Sequence, residues 1–344
     1  MRVFLLAVLL ALLTGCGGRK EAAPAAEAKT VYVFAMDTAM TLTAYGDNAE
    51  DALAQAGDRI TRLDQQFSPT LETGDVYAIN HGNGKPVPVG QDTLSLLSLA
   101  ENLSTVTDGA LDLTTLPVVE AWGFLDRNYR VPPDETVHQL LELVDYREIQ
   151  LNDSAGTVTL PAGAKLSFGA VGKGYAGDQV LAILRDAGVE SALINLGGNV
   201  QLLGAKPDGA PWKVAIQAPD DPNAVIGVLE ATDGAVITAG SYERYFEDEE
   251  GNRYWHIIDP STGKPARSGL LSATVVGPEG AVCDGLSTAL FVLGPEKAIE
   301  LWRSMGGFEL ILVTDTGSVL VSEALADHFT PSSEGMTTII PVSD

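Results

Sequence analysis

The sequence predicts a single α+β domain in which helices and sheets are interleaved. Helical spacing of apolar residues dominates the first half, and short alternating strands separated by turn residues dominate the second half. No internal repeat and no Pro/Gly-rich linker interrupts residues 30–344. With 344 residues and 45% hydrophobic content, the chain can bury a substantial core, so one domain is the economical prediction.

The first half begins with two predicted strands, 31–34 and 41–45. Apolar residues at three- and four-residue spacing then predict helices over 49–67, 92–106 and 134–144, and a polar, glycine-containing loop separates the first two. Turn residues at 152–156 predict a hairpin over 149–160.

The second half is predicted to be rich in sheet. Strands are expected over 191–196, 200–203, 212–217, 225–231, 235–238 and 272–276, and a closing hairpin over 308–314 and 318–322. Helices are expected over 178–186, 284–292 and 296–305.

Charge excludes one class of function. The chain has 46 acidic and 21 basic side chains, and its formal net charge of −25 repels nucleic-acid phosphates and anionic lipid surfaces. No nucleic acid partner is expected. A phosphate-bearing ligand would need a local cation, supplied by lysine, arginine or a divalent metal ion.

The N-terminus predicts export. Residues 1–15 combine Arg2 with an apolar run that is too short to span a bilayer, which is typical of a signal peptide. Cys16 follows directly and resembles the lipidated cysteine of a bacterial lipobox, although an ordinary signal peptide with an incidental cysteine is the alternative. Residues 16–29 are expected to be a flexible tether and 30–344 the folded domain. Only Cys283 remains beyond Cys16, so the mature domain can form no internal disulfide.

A glycine-rich stretch, 166–178, is the first candidate site. It places four glycines and Lys173 before a predicted helix, and glycines can present backbone N–H groups to a phosphate at a helix N-terminus. The alternative is a tight strand-to-helix turn with a solvated Lys173. The spacing matches neither a Walker A loop nor a dinucleotide-binding GxGxxG.

Three acidic or imidazole side chains are further candidates. His256 lies on an apolar strand that runs into an Asp-Pro turn, and the alternative is a buried core histidine. Asp112 follows an Asp-Gly turn, where an ordinary turn is the alternative. Asp284 and Thr288 are four residues apart on one helical face and offer oxygen ligands for Mg²⁺, whereas the alternative is a helix N-cap. The other histidines (His81, His138 and His328) are expected at the surface.

The order of these motifs along the chain resembles the ApbE family of FAD:protein FMN transferases. The resemblance extends from about Met36 to about Ser322. Its motifs are Met36-Asp37-Thr38, Asn80, Thr107 to Asp112, Trp122-Gly123, Lys173 to Asp178, Asn195 to Asn199, Trp212 to Pro219, Thr238 to Arg244, His256 to Gly263 and Asp284 to Thr288.

The resemblance implies a Mg²⁺-dependent transfer of FMN from FAD to a threonine or serine of an exported or membrane redox protein, with release of AMP. FAD is then the substrate and Mg²⁺ the cofactor. The resemblance also implies roles for individual residues. His256 would be the catalytic base; Met36, Thr70, Ala110, Leu111, Asp112, Ser167, Lys173 and Ile258 would bind FAD; Ala170, Asp284, Ser287 and Thr288 would bind the metal; Cys16 would carry the lipid anchor.

The chain departs from the family pattern at Asp37, Thr70, Gly74, Ser167 and Ala239. Thr70 stands where an aromatic residue often stacks on the flavin, so flavin binding is expected to be weaker than the phosphate chemistry. Two alternatives to transfer stay open: hydrolysis of FAD to FMN and AMP, and a non-catalytic FAD-binding lipoprotein. The Asp284-Gly285-Leu286-Ser287-Thr288 segment resembles a modification target, but its apolar continuation favours a core helix.

Overall fold

A computed structural model describes residues 27–333, 335 and 337–343. The predicted signal peptide and Cys16 lie outside the described residues. Within the described part of the chain, no helix has both the length and the apolar character needed to cross a bilayer.

The described residues form eight α-helices, which include every helix that the sequence predicts, although two of these begin several residues earlier than expected. The eight helices are α1 Ala49–Phe67, α2 Asp75–Asn80, α3 Gln91–Val106, α4 Leu116–Ala121, α5 Asp134–Leu141, α6 Gly172–Asp186, α7 Gly280–Leu293 and α8 Pro295–Met305. The sequence prediction missed α2 and α4 because six residues are too few to show a helical period.

A nine-stranded sheet runs through the molecule. Its strands, in spatial order, are β1 Ala28–Ala35, β2 Thr38–Tyr45, β6 Ser191–Leu196, β7 Asn199–Leu203, β10 Gly234–Gly240, β15 Leu270–Gly277, β16 Glu309–Thr314, β17 Val319–Ser322 and β19 Thr337–Ile340. All neighbours are antiparallel except the parallel pair β17 and β19.

Smaller sheets complete the fold. The remaining strands are β3 Val87–Pro88, β4 Gln150–Asn152, β5 Thr157–Thr159, β8 Trp212–Ala218, β9 Asp221–Ala231, β11 Tyr245–Glu247, β12 Arg253–Trp255, β13 Ile258–Asp259, β14 Lys264–Pro265 and β18 Phe329–Pro331. Strands β18, β9 and β8 form one sheet, and β3, β5 and β4 form another. The predicted strands and both predicted hairpins are present.

The fold has three layers, and the hydrophobic core lies between them. Helices α1, α6, α7 and α8 pack on one face of the large sheet, and the largest apolar cluster lies between them. The β8–β9–β18 sheet covers part of the opposite face and encloses a second apolar cluster. The predicted class, one α+β domain with interleaved helices and sheets, is confirmed.

Helix α6 begins earlier than the sequence predicts. The prediction places its start at Asp178, whereas the helix begins at Gly172 and includes three glycines of the glycine-rich stretch. Glycine has a low helix propensity, but packing against neighbouring elements overrides this propensity here. Glycine is required because the packing leaves no room for a larger side chain. A Cβ atom on Gly174 would lie 2.2 Å from the carbonyl oxygen of Gly280, and one on Gly177 would lie 2.3 Å from Nε2 of Gln201.

Helix α7 also begins earlier, at Gly280 and not at Asp284. Asp284 is therefore in the second turn and does not cap its own helix. Two carboxylates cap the neighbouring helices instead. Asp178 of α6 accepts hydrogen bonds from the backbone N–H groups of Gly280 (2.7 Å) and Ala281 (2.8 Å), and Asp284 of α7 accepts one from Gly174 (2.8 Å). The two helices thus satisfy each other's N-terminal donors.

This crossing generates a stability prediction. We expect Gly174→Ala to lower the free energy of unfolding by about 1–3 kcal/mol, because the new methyl group meets backbone atoms of α7 that cannot move aside cheaply. Urea unfolding monitored by circular dichroism measures the change. The matched control is Gly172→Ala in the same helix, where the nearest atom, Cβ of Phe168, is at 3.5 Å. Equal stability of the two variants would contradict this account of the crossing.

Candidate active site

A cavity of about 1210 Å³ lies between the helical layer, the β1–β2 turn and the β8 strand. Segments that are distant in sequence meet in its wall. The predicted site residues that line it are Met36, Thr70, Ala110, Leu111, Asp112, Ser167, Ala170, Lys173, His256, Ile258 and Thr288. Asp284 and Ser287 are buried and lie outside this lining. The structure thus places the predicted residues together, and their individual roles stay predictions.

The β1–β2 turn forms one rim of the cavity. Met36 and Asp37 both have positive φ angles, 49° and 61°, as a two-residue hairpin turn of type I′ requires. The Met36 N–H donates to Oδ1 of Asp64 at 2.8 Å. Asp37 forms ion pairs with Arg127 and with Arg244, which lowers the pKa of its carboxyl below the usual range. Asp37, which departs from the family pattern, therefore links the β1–β2 turn to the segments that carry Arg127 and Arg244 at the cavity rim.

Asp112 has a structural task. Its Oδ1 accepts hydrogen bonds from the N–H (2.7 Å) and hydroxyl (2.6 Å) of Thr114, and its Oδ2 accepts one from the N–H of Tyr146 (3.0 Å). Burial raises the pKa of this carboxyl, although the hydrogen bonds oppose the shift. Asp112 therefore fixes the loop that carries Ala110 and Leu111 into the cavity wall.

The glycine-rich stretch does not present an open row of N–H groups, so the predicted presentation of its backbone N–H groups to a phosphate is wrong. The N–H of Gly169 donates to Oγ of Ser167, those of Val171 and Gly172 donate to the carbonyl of Phe168, and that of Gly174 donates to Asp284. These donors are engaged within the protein. The Lys173 side chain is the cation that the stretch contributes to the cavity wall.

Asp284 lies buried behind that wall, with 5% of its surface exposed. Burial raises the pKa of its carboxyl, while Lys173 and the N–H groups of Gly174 and Lys173 oppose the shift. The Asn199 amide nitrogen also opposes it as a donor to the carboxylate, whereas the Asn199 amide oxygen has no hydrogen-bond partner in the described residues. Asn199 is itself 2% exposed. A buried amide oxygen without a hydrogen-bond partner is costly unless a further polar group or cation binds it.

The other predicted metal ligands differ in availability. Thr288 lines the cavity one helical turn after Asp284. The Ser287 hydroxyl donates to the carbonyl of Asp284 at 2.8 Å and is buried, so it is engaged with its own helix. Among residues 27–333, 335 and 337–343, no three His, Cys, Asp or Glu side chains assemble as a metal cluster. Asp284 is the one charged side chain in the predicted ligand set.

His256 lies between β12 and β13 and is half-buried at the cavity wall. Its Nδ1 is 3.2 Å from the carbonyl oxygen of Arg244. A carbonyl can only accept a hydrogen bond, so this contact places the proton on Nδ1 and leaves Nε2 as a free base. Burial, followed by the positive charges of Arg244 and Lys173, lowers the pKa of His256 to about 4. The ring is therefore neutral at neutral pH.

Glu243 is a site residue that sequence reasoning missed. It lines the cavity, is accessible from it, and is surrounded by enough protein to raise the pKa of its carboxyl to about 7. Lys173 lowers this pKa and Asp284 raises it, so all three groups interact electrostatically. The available signal was the Tyr242-Glu243-Arg244 sequence directly after strand β10.

Thr70 is a predicted flavin-binding residue that departs from the family pattern. Thr70 is exposed on the loop after α1, where its hydroxyl lies 3.2 Å from that of Ser68. Phe67 and Phe168, whose ring centroids are 4.8 Å apart, line the same cavity. Aromatic side chains are thus present near Thr70, although Thr70 itself offers no ring.

The fold and the cavity together define the class: a single-domain α+β protein in which a lysine and a neutral histidine line a large cavity and a buried carboxylate lies behind its wall. The ApbE family model matches residues 36–312. The chain belongs to the ApbE family, which confirms the family that the motif order predicts.

Relatives and solved structures agree with this family. The chain is 34% identical over 283 residues to a protein of Klebsiella pneumoniae (strain 342) named FAD:protein FMN transferase, covering 81% of this chain and 87% of the relative. A crystal structure of the ApbE protein from Thermotoga maritima superposes with a TM-score of 0.82 at 32% identity, covering 87% of this chain and 98% of that one. The flavin transferase ApbE from Vibrio cholerae gives a TM-score of 0.79 at 26% identity, covering 88% and 99%. The predicted class of enzyme, a flavin transferase, is confirmed.

The environment of His256 generates a testable prediction. We expect the ring to titrate well below its ordinary pKa of about 6.5, because burial and two cations disfavour the protonated form. A ¹³C-edited NMR titration, with the His256→Asn spectrum as the assignment control, measures the midpoint. Lys173→Met should raise the midpoint, since it removes one of the two cations. A midpoint at or above 6.5 would show that the ring is not in the environment described.

Proposed function

We propose that this enzyme transfers FMN from FAD to a threonine or serine hydroxyl of an exported or membrane redox protein and releases AMP, in a reaction that requires Mg²⁺. The observation that carries the proposal is the position of Lys173, which lines the same cavity as His256 and acts electrostatically on both His256 and the buried carboxylate of Asp284. The names of relatives at about one-third identity, FAD:protein FMN transferase, support the same activity.

The cavity suits a large anionic ligand. Its volume of about 1210 Å³ exceeds the range of about 300–1,000 Å³ typical of drug-sized ligands, as a dinucleotide requires. Apolar side chains of Leu111 and Ile258 offer contacts to a flavin ring, and Lys173 offers charge to its phosphates. Local cations matter here because the chain as a whole carries a charge of −25.

The residues present fit a magnesium ion. Asp284, the Thr288 hydroxyl and the backbone carbonyl of Ala170 are hard oxygen donors, which Mg²⁺ prefers while it keeps several waters. The buried amide oxygen of Asn199, beside Asp284, has no hydrogen-bond partner in the described residues, which supports a further polar or cationic partner in this region. When bound, Mg²⁺ would offset charge that develops on the phosphate oxygens.

A residue of the chain itself can remove the proton from the acceptor hydroxyl. Nε2 of His256 accepts the proton of the acceptor hydroxyl, since its pKa of about 4 keeps it unprotonated at neutral pH. The hydroxyl oxygen then forms a bond to the FMN phosphorus as the bond from that phosphorus to the bridging oxygen breaks, and AMP leaves with the bridging oxygen. A water molecule in place of the hydroxyl gives FMN and AMP.

The proposed location is the outer side of a bacterial cytoplasmic membrane or beyond it, with a lipid on Cys16 as the anchor. The sequence pattern of residues 1–16 supports this proposal. An exported redox protein is the acceptor that such a location would make accessible.

Incubation of the protein with FAD, Mg²⁺ and a co-expressed exported redox domain tests the activity. We expect mass spectrometry to find an FMN adduct on a threonine or serine, together with an equal amount of AMP. His256→Asn should bind FAD and slow transfer by about 10²–10⁴-fold, the usual contribution of a general base. AMP without an adduct would support hydrolysis, and retained FAD without AMP would support a binding protein. Transfer by His256→Asn at the parental rate would refute the role of the base.

The metal proposal has its own matched pair of variants. Thr288→Val keeps the shape of the side chain but removes an oxygen donor, and we expect Mg²⁺ affinity to fall at least ~10-fold; Asp284→Asn should weaken it by ~100-fold. Ser287→Ala is the control, since its hydroxyl donates to the helix backbone. Calorimetric Mg²⁺ titration and the Mg²⁺-dependent rise in Tm both measure binding without activity. Equal Mg²⁺ affinity in Thr288→Val and Ser287→Ala would contradict the ligand assignment.

A further inference from the structure

Strand β1 carries an exposed aromatic pair that the catalytic site does not use. Tyr32 is 78% exposed and Phe34 is 75% exposed, the highest values among the large apolar side chains of the described residues. Their neighbours on β1, Val31 and Val33, point to the opposite face and pack against the core. Isolated exposed aromatic residues are ordinary, but two on one face of one strand form a patch of the kind found in protein interfaces.

The same strand has a free hydrogen-bonding edge. β1 is the first strand of the nine-stranded sheet and pairs with β2 alone. Because the two-residue turn makes Ala35 and Thr38 a hydrogen-bonded pair, the N–H and C=O groups of Thr30, Tyr32 and Phe34 point away from β2. Within the described residues, no hydrogen bond satisfies these outward groups. The edge is thus able to pair with an added strand.

The aromatic patch is continuous with the cavity. Cross-strand partners share one face of a sheet, and the pairings link Tyr32 to Thr41, Thr41 to Asn195, and Asn195 to Val200. Asn195 and Val200 line the cavity. At about 4.8 Å per strand, the cavity wall at β6 begins about 10 Å from β1 on the same face. β1 itself ends at Ala35, directly before the turn residues Met36 and Asp37, which form the cavity rim.

We infer that β1 is the docking edge for the acceptor protein: an extended acceptor segment pairs with β1 and packs its side chains beside Tyr32 and Phe34. This inference rests on the proposed function, which requires a protein hydroxyl to enter the cavity. A loop of about three residues after the added strand spans the 10 Å to the cavity wall. Strand addition supplies affinity through main-chain hydrogen bonds, and the aromatic pair supplies side-chain selectivity.

The position of the patch favours the acceptor over other occupants. A lipid surface is disfavoured by the net charge of −25, which repels anionic headgroups. A second copy of the chain on β1 would cover the sheet face that leads from β1 to the cavity and would hinder a protein acceptor on that side. Both occupants give distinct results in the test below.

The test compares two double variants in steady-state transfer to an acceptor domain in which mass spectrometry has located the FMN adduct. Tyr32→Ser/Phe34→Ser should raise the KM for this domain by at least ~10-fold, as loss of one or two interface aromatics does, and leave kcat and the KM for FAD unchanged. The matched control is Ile339→Ser/Met305→Ser, which removes exposed apolar side chains (44% and 40%) on the opposite edge strand and on α8. A short acceptor peptide that cannot reach β1 should be modified equally by all three proteins.

An unchanged KM for the acceptor domain would overturn the inference. Two other results would also overturn it. If the double variant differs from the parent only in vesicle flotation, the patch contacts lipid. If the double variant differs only in the mass measured by light scattering, the patch contacts a second copy of the chain. If the parent protein forms no FMN adduct on any acceptor, the proposed function fails. If the parent transfers FMN and the double variant matches it, the docking edge alone fails.

Discussion

The reciprocal capping of α6 and α7 is the interaction on which the site depends. Each helix lends a carboxylate to the N-terminus of the other: Asp178 binds two N–H groups of α7, and Asp284 binds one of α6. A capping carboxylate typically contributes about 1 kcal/mol to the free energy of unfolding, and its negative charge interacts favourably with the positive end of the helix dipole. The same contacts bring Asp284 behind the cavity wall beside Lys173. The arrangement therefore serves stability and places the charged groups of the site.

The reciprocal capping requires that α6 and α7 approach each other closely. Gly174 and Gly280 meet backbone to backbone, and Gln201 of β7 donates to the carbonyl of Gly174 at 2.8 Å. Glycines that look like a flexible phosphate loop in the sequence are thus rigid packing positions inside a helix. Their cost in helix propensity is offset by contacts that a larger residue would prevent.

The long elements could be predicted because their signals are local. Helix α1 has the predicted bounds, 49–67, since its apolar residues repeat with the helical period. The starts of α6 and α7 could not be predicted, because glycine-rich sequence has no hydrophobic period and only the partner helix supplies the caps. Glu243 was missed for a related reason: its interactions with Lys173 and Asp284 join positions far apart in the chain.

By itself, the sequence determined the fold class, the order of the family motifs and therefore the kind of chemistry, because periodicity and motif order are properties of the linear chain. Tertiary structure decided which atoms are available. In the folded chain, N–H groups of the glycine-rich stretch donate to other protein groups, and Asp112 accepts hydrogen bonds that fix its loop. The Ser287 hydroxyl donates to its own helix, whereas Nε2 of His256 stays free. Hydrogen-bond partners and local electric fields depend on groups that meet only when the chain folds, and no local pattern encodes them.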